Sequence, residues 1–223
     1  MAGTFTPRLT SLPAAQRRLW AELSTLPPEY VLYGGTAIAL HLGHRDSIDF
    51  DFFIPHAIDP RRLLEDLAIL DGAIVTQVEP ETLSVTLDRD GPIKLSFFGV
   101  PRLGRVREPL RADDTGLAVA DLIDLAGTKV SVVQVRAEAK DYIDVGALLG
   151  AGLSLADMLA AGRAIYGPSF SPQSALKALS YFHDPMLTAL PIALKDTLGQ
   201  AVRGVDLSTL PDLQAVAPRK AGV

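Results

Sequence analysis

Two stretches of this chain carry residue types that could do chemistry together. Gly34-Gly35-Thr36 is a small-residue corner, and His44-Arg45-Asp46-Ser47-Ile48-Asp49-Phe50-Asp51-Phe52-Phe53 follows it with an Asp-x-Asp pair. If residues 48–54 are extended, side chains alternate faces, so Asp49 and Asp51 point one way and Phe50 and Phe52 the other. The aromatic face can then bury. The carboxylate face holds two like charges that raise each other's pKa unless a cation holds them. Magnesium, or manganese in its place, prefers such carboxylates together with phosphate oxygens. Two such ions, roughly 3.5–4 Å apart, can clamp the attacking and leaving oxygens of a phosphoryl transfer. Asp49 and Asp51 are therefore the candidate metal ligands and catalytic acids.

The glycine corner is the natural partner of that pair. Gly34 and Gly35 let backbone N–H groups approach a phosphate at the positive end of a helix. Thr36 can add a hydroxyl. Ser47 lies on the carboxylate side and can meet a ribose or phosphate, and Arg45 can neutralise phosphate charge. The plainer readings are a tight turn, a solvated edge strand or a structural calcium site. A second constellation follows at Lys129, Arg136, Lys140, Asp141 and Asp144. On a continuous helix Lys129, Arg136 and Lys140 share one face, and Asp144 lies one turn beyond Lys140. Such a face could bind a triphosphate tail, and a salt-bridged surface helix reads equally from the spacing. His41, His44, His56 and His183 lack metal-ligand spacing. Arg102, Arg105, Arg107 and Arg111 form a basic stretch that reads as a solvated loop or a contact to a nucleic-acid backbone. No G-x-S-x-G nucleophile motif or P-loop is present.

The elements that position these residues follow from pattern. Leu12, Leu19, Leu23 and Leu26 predict an amphipathic helix over 12–26 with Ser11 as cap, stopped by Pro27-Pro28. Val31-Leu32-Tyr33 predicts a short buried strand, and 36–42 a helix ended by Gly43. Asp59 and Pro60 predict a helix to about residue 70. A strand is expected over 73–78, then a hairpin of 83–87 with 93–98 around Asp88-Arg89-Asp90-Gly91. From residue 118 the pattern is helical, with spans 118–136, 138–149, 154–165, 171–182 and 191–203. The expected organisation is a mixed α/β domain over 1–114, a helical domain over 115–205 and a poorly patterned tail over 206–223.

Composition bounds the class. The chain has 223 residues, is 48% hydrophobic and carries a net charge of −5. That supplies a core and argues against strong nonspecific nucleic-acid binding. Cysteine is absent, which excludes disulfides and thiolate metal sites. No signal peptide or membrane-length apolar run is visible, so a soluble cytoplasmic protein without a membrane partner is the expectation.

Gly34-Gly35-Thr36-Ala37-Ile38-Ala39-Leu40 followed by His44-Arg45-x-Ser47-x-Asp49-x-Asp51-Phe52 resembles the first motif of the AbiEii/AbiGii-type toxin nucleotidyltransferases. These belong to the DNA polymerase β-like nucleotidyltransferase superfamily. Lys129, Arg136 and Lys140-Asp141-x-x-Asp144 resemble that family's second block. The resemblance spans about residues 30–150. It implies an α+β fold, with a mixed sheet flanked by helices and followed by a helical half. It implies Mg²⁺-dependent transfer of a nucleoside monophosphate from an NTP to an RNA, tRNA in some relatives, or to a protein. It also implies an antitoxin partner for members that act as toxins. By carry-over Asp49 and Asp51 hold metal and act in catalysis. Gly34, Gly35, Thr36, Arg45, Ser47, Arg136 and Lys140 bind nucleotide, Lys129 contacts the triphosphate, and Asp141 helps activate the acceptor or positions a basic group. One departure stands out. The strand expected to carry a third carboxylate reads Lys94-Leu95-Ser96-Phe97-Phe98. That leaves a second reading open, a nucleotide- or protein-binding module with impaired catalysis.

Overall fold

Alternation of Phe50, Phe52 and Ile54 with Asp49, Asp51 and Phe53 decides which way the central strand faces. The first three are fully buried and the second three partly exposed. The computed structural model describes residues 3–216. They form two compact units, one from residues 3–103 and Glu108–Asp121, the other from Gly104–Arg107 and Leu122–Val216.

The first unit holds β1 (Thr4–Phe5), α1 (Ala14–Glu22), β2 (Val31–Tyr33), α2 (Gly34–Leu42), β3 (Asp49–Ile54) and α3 (Pro60–Asp66). It continues with β4 (Ile74–Glu79), β5 (Thr82–Asp88), β6 (Pro92–Gly99), β7 (Leu110–Ala112) and β8 (Ala118–Val119). The strands make one eight-stranded mixed sheet in the order β1-β7-β8-β2-β3-β6-β5-β4. β3 runs antiparallel to β2, the strand before it in the chain, and parallel to β6, which follows only after α3, β4 and β5. The expected hairpin is β5–β6, closed by the pair Asp88–Pro92. α2 packs on β3 and α1 on β6. The Phe52 and Phe97 rings stack with centroids 5.4 Å apart on the buried face. His41 of α2 donates to the Ala120 carbonyl at 3.0 Å and stacks on Phe5. Burial there pushes its imidazole pKa down, against the opposing effects of the Ala120 hydrogen bond and the Asp121 charge.

The second unit is helical: α4 (Leu122–Val132), α5 (Ala139–Gly150), α6 (Leu155–Tyr166), α7 (Pro172–Ser180) and α8 (Ile192–Arg203). Asp124, buried in α4, accepts from the Val106 and Arg107 amides at 2.7 and 2.9 Å and anchors part of the arginine-bearing loop. Among the described residues no single helix is long and apolar enough to cross a membrane.

Several local expectations differ from what forms. The first helix begins at Ala14 with Pro13 as its N-cap residue, because the Ser11 hydroxyl donates instead to the Arg8 carbonyl. Residues 118 and 119 form strand β8 and the helix starts at Leu122, since Ala118 and Val119 pair with Val31 and Leu32. Three strands of two or three residues, β1, β7 and β8, carry too short a pattern to announce themselves. The tail holds a turn over Leu207–Thr209, capped by Asp206, and Val216 bridges to Arg105. The rest of the expected tail, 217–223, lies outside the described residues.

Phe52→Ala should cost about 3–5 kcal/mol, because it empties a fully buried ring site. Urea denaturation measures this, and a loss below about 1 kcal/mol would mean the aromatic face of β3 is not core.

Candidate active site

β2 ends opposite Asp51, in the pair Tyr33–Asp51. The chain turns there at Gly34, with φ +73°, and enters α2. The turn brings the Gly34 backbone against the Asp51 carboxylate, so a Cβ built at position 34 would sit 2.6 Å from Asp51 Oδ2. Glycine meets both demands, the positive φ and the close approach. The first amides of α2 lack intrahelical carbonyl partners and lie at the positive end of the helix dipole. The N-cap residue, Tyr33, makes no capping hydrogen bond with its side chain.

Thr36 and Ser47 join the corner to the strand. The Thr36 hydroxyl is 2.8 Å from the Ser47 hydroxyl and hydrogen-bonds the Asp49 carbonyl. Both side chains are buried. Ser47 precedes β3, and its amide donates to the Ser11 carbonyl at 3.1 Å. Gln16 donates to the Ile48 carbonyl at 3.1 Å, which fixes the approach to β3 from the α1 side. The Arg45 guanidinium donates to the Asp46 carbonyl at 2.9 Å. The structure thus brings Gly34, Thr36, Ser47, Asp49 and Asp51 together. Gly35 lies in the first turn of α2, and Arg45 in the loop ahead of β3.

β6 defines the other side of this face. In register, Lys94 lies opposite Asp49 and Ser96 opposite Asp51. Paired residues in a sheet share a face. Lys94 is exposed, and Ser96 is buried and accepts from the Ser84 hydroxyl at 3.1 Å. The neighbouring strand therefore offers a cation and a hydroxyl where a third acid was sought. Lys94 is a group on this face that motif reading passed over. Its alternation within the hairpin was legible, but its place beside Asp49 depends on the non-local β3–β6 pairing.

Two carboxylates on one face, beside a helix start, suit magnesium. That ion keeps water and substrate phosphates in its shell and needs one or two protein carboxylates. No cluster of three or more carboxylate or imidazole ligands is found among the described residues. Asp49 and Asp51 fit the ion only as a pair completed by substrate oxygens.

The second block lies in the helical unit. Lys129, Arg136 and Lys140 do not share one continuous helix, since α4 ends at Val132 and α5 begins at Ala139. The break folds the block onto itself. Lys129 Nζ contacts Asp141 Oδ1 and Asp144 Oδ2, each at 2.7 Å, with both carboxylates fully buried. Arg136 Nε donates to Asp141 Oδ2 at 2.8 Å and pairs with Glu138 at 3.3 Å. Lys140 pairs with Glu138 at 3.0 Å. Burial, the largest influence, pushes the Asp141 carboxyl up, but the Arg136 hydrogen bond, the Lys129 charge and the Lys129 hydrogen bond together hold it below its ordinary value. The surface salt-bridged helix is thus replaced by a buried ion cluster at the α4–α5 break.

Lys129→Met should destabilise the protein by about 3–5 kcal/mol, because it strands two buried carboxylates. Denaturant midpoints would show it, and an unchanged midpoint would mean the cluster contributes nothing. A depressed Asp141 pKa adds stability that is full above the ordinary carboxylate pKa and is lost as pH falls through the lower folded value. Denaturation free energies should therefore fall between about pH 5 and pH 2, with a shallower slope in Asp141→Asn. An identical slope in the variant would contradict the assignment.

Comparison with known proteins gives the family and the fold. A family profile described as "Nucleotidyl transferase AbiEii toxin, Type IV TA system" matches residues 17–215. An uncharacterized Aquifex aeolicus (strain VF5) protein, aq_aa25, is 31% identical over 123 residues, 54% of this chain and 58% of that relative. The match therefore spans less than two thirds of that curated relative's length. Among solved structures, MenT4, a nucleotidyltransferase toxin from Mycobacterium tuberculosis H37Rv, aligns with TM-score 0.60 at 18% identity, covering 87% of this chain and 83% of that one. A structure from H. pylori aligns with TM-score 0.51 at 20% identity, covering 85% and 90%. At these identities the structural likenesses establish the fold, and the profile, which spans nearly the whole chain, establishes that this chain belongs to the AbiEii nucleotidyl transferase toxin family.

Proposed function

We propose that the chain transfers a nucleoside monophosphate from an NTP to an acceptor hydroxyl, on RNA in the first instance, with tRNA and protein as the other acceptors to test. The observation that carries this reading is the partly exposed Asp49–Asp51 face with the start of α2 packed against Asp51. The first amides of α2, at Gly34, Gly35 and Thr36, receive the phosphates. Arg45 adds charge beside them, and Ser47 holds the approach to β3. Asp49 and Asp51 would hold Mg²⁺ or Mn²⁺, which would supply Lewis-acid charge neutralisation for the triphosphate. They also orient the acceptor hydroxyl and take its proton. The acceptor oxygen bonds to the α-phosphorus, the bond from that phosphorus to the β-phosphate's bridging oxygen breaks, and pyrophosphate leaves with the electron pair. Within the helical unit Asp141 keeps Lys129 and Arg136 in place, and Lys140 adds cationic charge at its rim. Family membership supports the further reading of a toxin held in check by an antitoxin, working in the cytoplasm where NTPs are made.

A second reading has its own support. Lys94 and Ser96 stand where the superfamily places a third acid, which favours a module that binds nucleotide or protein without turnover.

Purified protein with each labelled NTP, magnesium and total RNA or lysate separates the two. Label should pass to an acceptor and fall to background in Asp49→Ala and Asp51→Ala. Label transfer that survives Asp49→Ala contradicts the assignment of the ligands. Calorimetric NTP binding without transfer to any acceptor supports the module. Growth arrest on expression, relieved by Asp51→Ala, supports the toxin.

A further inference from the structure

We propose that Thr36 is a positioning residue, whose inward-turned hydroxyl sets the geometry of the Asp49–Asp51 face relative to the start of α2. This rests on the nucleotidyltransfer reading. β2 stops opposite Asp51, so the strand ladder on that side does not reach Asp49. A strand carbonyl beyond the end of its ladder needs another donor. The Thr36 hydroxyl supplies it, and the Ser47 hydroxyl completes the set at 2.8 Å. Thr36 is 1% exposed and Ser47 7%, so water does not compete for these groups.

The consequence is a rigid triangle. Gly34 meets the Asp51 carboxylate, and Thr36, two residues on, meets the Asp49 carbonyl. One short segment therefore touches both acidic residues of β3 while its amides open α2. A triphosphate seated on those amides is then held at a set distance from the carboxylates. Thr36 contributes its N–H toward the phosphate and its hydroxyl toward the strand. Valine has nearly the shape of threonine and lacks the hydroxyl. Serine keeps the hydroxyl and drops the methyl.

The test compares Thr36→Val with Thr36→Ser in steady-state transfer at saturating magnesium. Thr36→Val should lower kcat about tenfold to hundredfold, the scale on which a misplaced reacting group is penalised. Its KM for NTP should stay within about threefold of wild type, and Thr36→Ser should return kcat to within about threefold. A Thr36→Val enzyme with wild-type kcat overturns the proposal, and so does a Thr36→Ser enzyme as slow as Thr36→Val. Amide hydrogen exchange gives a readout independent of turnover. Residues 49–51 should exchange faster in Thr36→Val than in wild type or Thr36→Ser, while α4–α8 stay unchanged. Unchanged exchange at 49–51 overturns the positioning role. If wild type transfers no label, the nucleotidyltransfer reading falls and the exchange data still decide whether Thr36 holds β3. Thr36→Ala, read in the same way, serves if Thr36→Val does not fold.

Discussion

Two like charges on one strand face repel, and the other face of β3 is what keeps them there. Phe50, Phe52 and Ile54 are fully buried on that opposite face. Each contributes about 1.5–3 kcal/mol by leaving water. Repulsion between two unit charges about 6.6 Å apart, the spacing of alternate strand residues, is about 2.5 kcal/mol at the effective dielectric of a protein surface and under about 1 kcal/mol in bulk water. Burial wins, and it also fixes register, since a one-residue slip would turn rings to solvent and carboxylates into the core. The acidic face is thus a by-product of a very stable hydrophobic choice.

The helical unit treats acids in the opposite way. Asp141 and Asp144 are closed around the Lys129 ammonium, and Arg136 reaches Asp141 from the rim. Taking such charges out of water is costly, so the cluster is poor evidence of extra stability and good evidence of specified geometry. Asp141 also sits in the first turn of α5, where the helix dipole favours a negative charge. The break at 133–138 makes this possible, because a continuous helix would have set Lys129 and Asp141 three turns apart along one rod.

Much of this was readable in advance, and the misses share a cause. The β3 alternation, the helix expected over 36–42 and formed over Gly34–Leu42, the Asp88–Gly91 hairpin and the run of C-terminal helices all rest on local patterns, and the structure contains each. What stayed hidden depends on distant partners. Lys94 reaches the Asp49 face only through the parallel β3–β6 pairing, and β8 becomes a strand only because β2 lies beside it. The inward turn of the Thr36 hydroxyl depends on where β2 stops, which no spacing in the motif records. The Lys129 block could be recognised as a family pattern, but its burial depended on the helix break.

Metal binding by the β3 carboxylates can be read without turnover. Mn²⁺ titration followed by electron paramagnetic resonance, with a non-hydrolysable NTP analogue present, compares wild type with Asp49→Asn and Asp51→Asn. Bound Mn²⁺ in wild type and its loss in both variants is the expected result. Undiminished binding in either variant would contradict the assignment of the two acids as a joint site.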